Sequence, residues 1–112
     1  MSEVVVLVNL VARPGKEAEG EQFLNELLAP THAEPGCLLY ALHRAVDDPQ
    51  RIAFVERWES RELLEQHMAS EHIQDALNDV GSYFSEGPEI TIYEALPGGH
   101  SDKGSLAGHA GR

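Results

Sequence analysis

The sequence predicts a single α+β domain with the element order β-α-β-β-α-β. Three observations support this prediction: apolar runs typical of strands, two stretches with apolar residues at helical spacing, and turn-forming Pro and Gly residues between them. The chain has 112 residues, which is the size of one domain with a modest core. Self-association is therefore expected to add burial.

The first strand is predicted over residues 3–12, where an almost unbroken apolar run stops at the turn formers of residues 13–15. Such a run is typical of a strand that is buried on both faces. Asn9 interrupts it and lies on the same face as Val5 and Val11, because side chains alternate along a strand. A buried amide needs hydrogen-bond partners, so Asn9 is either satisfied by neighbouring backbone or directed at a ligand.

The first helix is predicted over residues 16–29, where apolar side chains recur at helical spacing among acidic ones. Pro30 is expected to end this helix. Residues 33–36 then form a turn, and residues 37–44 form the second strand.

A hairpin is predicted next, because residues 47–50 are rich in turn formers and separate two apolar runs. The third strand covers residues 51–59 and pairs back on the second. Its alternation places four side chains on one face: Ile52, Phe54, Glu56 and Trp58.

The second helical region begins at Ser60, whose hydroxyl can cap the helix, with Glu62 in the first turn. A kink or restart is expected near Ser70, which is a second capping candidate. Residues 87–88, a Gly-Pro pair, are expected to end the region, and residues 89–95 form the fourth strand. The apolar stripe of the region consists of Leu63, Leu64, Met68, Ile73, Ala76, Leu77, Val80 and Phe84.

This order is the split pattern of ferredoxin-like folds, an antiparallel sheet with both helices on one face. The other sheet face must bury its apolar side chains, and a dimer that packs sheet against sheet is the expected solution. The domain is predicted over residues 1–96. Half of the ten glycines fall after it, so residues 97–112 are predicted to be a flexible tail with His100 and His109 on its surface.

Charge and composition argue against several functions. Eight basic against nineteen acidic residues give a net charge of -11, which repels phosphate backbones and anionic lipids, so neither nucleic acid nor a membrane is an expected partner. No run of eighteen apolar residues and no signal-peptide pattern occurs, and a cytoplasmic protein is expected. The single cysteine, Cys37, is interpreted as a small packed residue. No Gly-rich phosphate loop is present, so no nucleotide cofactor is predicted.

His67 and His72 are the candidate proton carriers. On one continuous helix they would be separated by about 140°, a poor arrangement for sharing a metal. A kink at Ser70 could repair this geometry, but no cysteine or zinc-protease spacing supports it, and no metal is predicted. Glu71 lies four residues after His67 and could orient its ring as a general base, although a surface ion pair or a core-edge imidazole are open alternatives. Trp58 either anchors the core or forms a cavity wall suited to flat aromatic ligands.

Four segments also carry a resemblance to a known family: Pro14-Gly15-Lys16, Glu34-Pro35-Gly36-Cys37-Leu38 with Tyr40, Glu56-Arg57-Trp58-Glu59-Ser60, and His67 through Ser70 to His72. In this order, over residues 4–95, the chain resembles the antibiotic biosynthesis monooxygenase (ABM) domain, a family that includes small quinol monooxygenases. The resemblance implies a dimeric α+β barrel with a ligand cavity between sheet and helices in each subunit.

The resemblance further implies a monooxygenase that oxidises a quinol or polycyclic phenol with O2 and uses no cofactor. A deprotonated phenol can pass an electron to oxygen directly, so the protein would supply a base, oxyanion donors and a water-poor pocket. Asn9 and Trp58 match asparagine and tryptophan positions of related monooxygenases, and Asn9 could hold a phenolate or dioxygen. His67 is the first candidate for the base and His72 the second. The expected substrate contacts are Phe54, Tyr40, Met68 and Leu64.

Three alternatives stay open beside this hypothesis. A non-catalytic binding or stress-associated dimer could use the same cavity. Haem degradation fits Asn9 and Trp58, but the position of the iron-binding histidine aligns near Leu77, which cannot bind iron, and His72 would point elsewhere on the helix. A branch that acts on small phosphorylated signal sugars would need basic residues, of which this chain has few.

Overall fold

The computed structural model describes residues 2–109, apart from the side chain of His109. Its elements in chain order are β1 (Val4–Ala12), α1 (Glu17–Asn25), α2 (Leu28–His32), β2 (Cys37–Ala45), β3 (Asp48–Trp58), α3 (Arg61–Met68), α4 (Glu71–Asp79) and β4 (Phe84–Tyr93), with short 3-10 turns at Val80–Ser82 and Leu106–His109. The predicted order is retained, with each helical region divided in two. None of the helices in this part of the chain is long and apolar enough to cross a membrane.

The four strands form one antiparallel sheet in the order β2-β3-β1-β4. The central strand β1 pairs with β3 on one side and with β4 on the other, so that Val8 lies opposite both Phe54 and Ile90. Leu24 of α1 and Ile73 of α4 line the same cavity as Val8, which places both helical regions on one face of the sheet. The prediction of a ferredoxin-like α+β fold is confirmed.

The two faces of the sheet differ in burial. On the covered face, which carries Val6 and Leu10 of β1, the side chains are buried beneath the helices. On the open face, Val5 and Val11 are half-buried and Asn9 is exposed. The prediction that β1 is buried on both faces is therefore wrong for a single chain, because the helices cover only one of them.

The first helical region does not form the single helix that was predicted over residues 16–29. It breaks at Glu26 and Leu27, and Pro30 lies inside the first turn of α2 instead of ending a helix. The first backbone N–H groups of a helix have no partner within it, so a proline in the first turn removes no helical hydrogen bond. Pro30 therefore fits where the chain starts a new helix.

The second helical region follows the prediction at its start and at its break. Ser60 caps α3, since its hydroxyl oxygen accepts a hydrogen bond from the backbone N–H of Leu63 at 3.2 Å. The predicted restart near Ser70 is confirmed, with α3 and α4 as separate helices. The Ser70 hydroxyl does not cap α4 but donates to the carbonyl of His67 at 2.6 Å.

The fourth strand begins earlier than predicted. Phe84, expected on the helical stripe, is the first residue of β4, and residues 87–88 lie inside the strand rather than before it. The pairing with β1 shifts register between Asn9 and Val11 at this point, and the Gly87-Pro88 peptide bond is cis. Proline cannot donate to a strand ladder, and an irregular stretch of an edge strand such as β4 is where it is tolerated.

Residues after β4 are mostly exposed as far as the structure describes them. His100 lies on the surface, and its Nδ1 accepts a hydrogen bond from the backbone N–H of Asp102 at 3.1 Å. The side chain of His109 lies outside the described part of the chain. The domain boundary at residue 96 and the flexibility of the tail stay predictions.

Candidate functional site

A cavity of about 60 Å³ lies between the helices and the covered face of the sheet. Three polar side chains, Tyr40, Glu56 and His67, reach its wall, which is otherwise apolar. Leu77 and Ile90 also line it and are 37% and 38% exposed, so the cavity opens beside them. The volume is far below the roughly 300 Å³ at which small-molecule pockets usually begin, so a ligand of ordinary size does not fit without widening the cavity.

The predicted substrate contacts divide between this cavity and the core. Tyr40, Phe54 and Met68 line the cavity, as a contact role would require. Leu64 does not line it and is packed in the hydrophobic core with 2% of its surface exposed. A direct contact between Leu64 and a ligand would therefore need α3 to move.

His67 and Glu34 form a close pair beside the cavity. His67 lies in the last turn of α3, and its Nδ1 is 2.6 Å from Oε2 of Glu34, in the turn between α2 and β2. That turn depends on Gly36, whose φ of 85° lies in the left-handed region that favours glycine. A Cβ atom on Gly36 would also lie only 2.5 Å from Cδ1 of Leu63. The local backbone thus presents Glu34 to the helix end.

Burial and the neighbouring Glu34 act in opposite directions on the pKa of His67. Burial lowers the pKa of His67, and the carboxylate of Glu34 opposes this effect. A neutral ring that faces a carboxylate donates from Nδ1, which leaves the lone pair on Nε2. Nε2 of His67 has no hydrogen-bond partner among the described residues. Every fully buried side-chain nitrogen or oxygen in this part of the chain does have a partner. Nε2 is therefore not fully buried and can be reached from the solvent. His67 has the arrangement of a general base held by an acid.

Two aromatic rings hold His67 in place. The indole of Trp58 lies 4.5 Å from the imidazole between ring centroids, and the ring of Tyr40 lies 5.4 Å from it. Trp58 is fully buried and is not among the side chains that line the cavity. Its Nε1 donates a hydrogen bond to Oε1 of Glu56 at 2.9 Å. Trp58 therefore supports two polar groups of the cavity wall from behind.

Glu56 is a buried carboxyl group at the cavity wall. Only 3% of its surface is exposed, and burial raises its pKa to about 7, with the Trp58 hydrogen bond opposing the shift. At neutral pH a substantial fraction of this group is therefore a neutral acid. A neutral carboxyl group can donate a hydrogen bond to a ligand oxygen, whereas a carboxylate cannot.

His72 reaches the same cluster from α4. Its Nε2 lies 3.0 Å from Oγ1 of Thr31 and 3.7 Å from Oε2 of Glu34, and its ring centroid is 6.1 Å from that of His67. The two histidines do not lie on one continuous helix, so the separation of about 140° does not apply, and the expected kink at Ser70 is present. The restart at Ser70 turns α4 so that both rings face Glu34.

Asn9 is not part of this cluster. It is exposed on the open face of β1, whereas its neighbours Val8 and Leu10 face the cavity. Side-chain alternation therefore puts the sheet between Asn9 and His67 within one chain. A role for Asn9 in catalysis stays a prediction.

Sequence reasoning missed the partners of the two histidines. Glu71, the expected partner of His67, is exposed, and Glu34 takes its place from 33 residues away in the chain. Thr31, the partner of His72, carried no signal of its own in the sequence. Glu56 did carry one: an acidic residue on the apolar face of a strand is either paired or functional.

The fold and this cluster define a class: a ferredoxin-like domain with an acid-histidine pair beside an apolar cavity. The sequence model of the family described as antibiotic biosynthesis monooxygenase matches residues 3–79. The chain belongs to this family, and the resemblance noted in its sequence is confirmed.

Individual relatives agree with this assignment. Rv0793 of Mycobacterium tuberculosis, named as a candidate monooxygenase, is 30% identical over 95 residues, which cover 85% of this chain and 93% of that protein. The solved structure of Rv0793 is similar with a TM-score of 0.81 and 27% identity, covering 88% of this chain and all 100% of the other. The crystal structure of PA3566 from Pseudomonas aeruginosa has a TM-score of 0.75 and 26% identity, with coverage of 86% and 97%.

Proposed function

We propose that the protein is a monooxygenase that oxidises a quinol or other phenol with O2, with His67 as its general base and no organic cofactor. The observation that carries this proposal is the pair of Glu34 and His67, 2.6 Å apart, of which His67 lines an apolar cavity. Family membership supports the reaction class but leaves the substrate open.

In the proposed reaction, Nε2 of His67 accepts the phenolic proton, and the carboxylate of Glu34 stabilises the imidazolium that forms. The resulting phenolate transfers an electron to O2, and the carbon radical and the reduced oxygen combine into a peroxide. Loss of water from the peroxide gives a quinone. One oxygen atom thus enters the product and the other leaves as water, and the substrate supplies all the electrons.

Two further groups could stabilise the negative charge that develops on the substrate oxygen. Burial raises the pKa of Tyr40 well above its usual range, so its hydroxyl stays protonated and can donate to a ligand oxygen. Glu56, as a neutral acid, can do the same. Donors that are already oriented in a water-poor site stabilise an oxyanion more strongly than water does.

The size of the cavity restricts the substrate. A dry cavity of about 150 Å³ in a protein core binds benzene, so a cavity of about 60 Å³ would have to widen to take a phenol. Met68, an unbranched and adaptable side chain at the wall, is one group that can yield. A single-ring quinol requires the least widening and is the first substrate to try.

The test is oxygen consumption and product formation with a panel of quinols and phenols, in air and without oxygen. We expect turnover only with oxygen, and incorporation of label from ¹⁸O2 into the product. His67→Ala should lose at least about a hundredfold in kcat/KM, because general-base catalysis contributes that much. His43→Ala, on the exposed end of β2, is the matched control. Product formed without oxygen, or full activity in His67→Ala, would overturn the proposal.

A homodimer is part of the same proposal. Val5, Leu7 and Val55 are only half-buried on the open face, and a second sheet packed there would cover them. Asn9 lies among these residues and would become part of the interface. Light scattering should give the mass of a dimer at micromolar concentration, and Leu7→Asp should shift it to the monomer. A monomeric wild-type protein would contradict the sheet-packing arrangement.

A further inference from the structure

We propose that Glu34, His67 and His72 also form a binding site for a divalent transition-metal ion such as Zn²⁺. Each side chain offers one ligand atom, and these three atoms lie within 4.8 Å of one another. The two closest separations from Oε2 of Glu34 are 2.6 Å to Nδ1 of His67 and 3.7 Å to Nε2 of His72. The cluster lies at the edge of the core, where His67 is buried and the other two are partly buried.

The distances are close to those that a bound ion requires. Zinc lies about 2.0 to 2.2 Å from nitrogen and oxygen ligands, so two ligands of a tetrahedral ion are roughly 3.3 Å apart. Glu34 and His67 would need to separate, and Glu34 and His72 to approach, each by less than about 1 Å, and the ligand atoms of the two histidines, which lie within 4.8 Å, would need to approach by up to about 1.5 Å. Rotation of the Glu34 side chain can adjust the first two separations, and rotation of the partly exposed His72 side chain would adjust the third.

The three ligand side chains, two imidazoles and one carboxylate, suit a metal ion of intermediate softness. Two imidazoles and one carboxylate bind zinc in several enzymes and leave a fourth position for water. Trp58 packs on the ring of His67 and holds it in place, whereas Thr31 hydrogen-bonds the same Nε2 of His72 and would have to release it to the ion.

A bound ion would change what His67 presents to the cavity. Metal binding takes the lone pair of Nδ1, so the ring proton must move to Nε2. His67 would then offer an N–H donor instead of a base. The ion would therefore inhibit the proposed monooxygenase, and only this consequence rests on the proposed function; the binding itself does not.

The binding is tested on the full chain after treatment with a chelator, by calorimetry with Zn²⁺ and by the visible absorbance of bound Co²⁺. We expect one ion per chain and a rise in melting temperature with Zn²⁺. Glu34→Gln and His72→Ala should each weaken binding by at least about tenfold, since even indirect partners of a metal contribute that much. His43→Ala and Cys37→Ser are controls that should bind as the wild type does.

Circular dichroism checks that each variant is folded, and His72→Asn replaces His72→Ala if the latter is not. Equal binding by the wild type, Glu34→Gln and the folded His72 variant would overturn the site. A protein that binds Zn²⁺ at these residues but oxidises no phenol would retain the site and reject the proposed function. A protein that oxidises a quinol but binds no Zn²⁺ would do the reverse.

Discussion

The covered and open faces of the sheet carry side chains of similar apolar character in different surroundings. On the covered face, β3 contributes Phe54, Glu56 and Trp58, which the helices enclose together with His67. On the open face, Asn9 is exposed although its two neighbours in β1 line the cavity. A residue next to site residues in the sequence therefore need not belong to the site. Neighbouring side chains of a strand face opposite sides of the sheet, so Asn9 could join a site only if a second subunit covered the open face.

The largest effect is expected from truncating the covered face at Trp58. Trp58→Ala should lower the free energy of unfolding by about 3 to 5 kcal/mol, since it leaves a cavity and removes the donor to Glu56. Tyr93→Ala, at a residue of β4 that is 46% exposed, should cost less than about 1 kcal/mol in the monomer. Denaturant unfolding of both variants measures the contrast. If Tyr93→Ala lowers the free energy of unfolding as much as Trp58→Ala does, and if this loss grows with protein concentration, the open face is buried in a dimer.

A backbone substitution tests how the site on the covered face is assembled. Gly36→Ala should destabilise the fold by about 2 to 4 kcal/mol, because it forces a left-handed φ on alanine and places its Cβ against Leu63. Gly81→Ala is the control, since a Cβ there meets nothing within 4 Å. Thermal unfolding monitored by circular dichroism compares them. Equal stability of both variants would mean that the turn carrying Glu34 adapts freely.

The pH dependence of stability tests the burial of Glu56. Its folded-state pKa of about 7 lies above the usual 4.5, so folding favours the protonated form, and stability is lost as the pH rises from about 4.5 to about 7. Glu56→Gln cannot ionise and should gain up to about 3 kcal/mol relative to the wild type between about pH 5 and about pH 8. Urea unfolding at the two pH values measures the gain. A constant difference would place Glu56 in contact with water.

The smallest effect is expected at Asn9. Asn9→Ala should change the free energy of unfolding of the monomer by less than about 0.5 kcal/mol, because in a single chain the side chain is exposed and makes no hydrogen bond among the described residues. Within one chain it also has no route to the cavity, so kcat/KM for the best quinol should stay within about twofold. A hundredfold loss of activity would instead assign Asn9 to a site completed by a second subunit.

Features that depend on local sequence could be predicted, and those that depend on distant contacts could not. The alternation of β3, the cap at Ser60 and the restart at Ser70 follow from neighbouring residues, and all three are observed. The early start of β4 at Phe84 and the position of Pro30 depend on what each segment packs against.

The candidate site shows the same division. His67 could be predicted as the first candidate for the base, but its acidic partner lies 33 residues away and joins it only through the turn at Gly36. The approach of His72 to Glu34 and His67 depends on the angle between α3 and α4, and this angle cannot be predicted from helical periodicity. Trp58 and Glu56 could be placed on one face of a strand, yet their hydrogen bond could not be predicted from that placement.

The break at Ser70 links access to the cavity with the charge arrangement beside it. Helix α4 supplies Ile73, Ala76 and Leu77 to the cavity wall and also carries His72. Any outward movement of α4 that widened the cavity would also carry His72 away from Glu34. A ligand that needs this widening would separate His72 from Glu34. An interaction that holds His72 close to Glu34 would in turn oppose entry of the ligand.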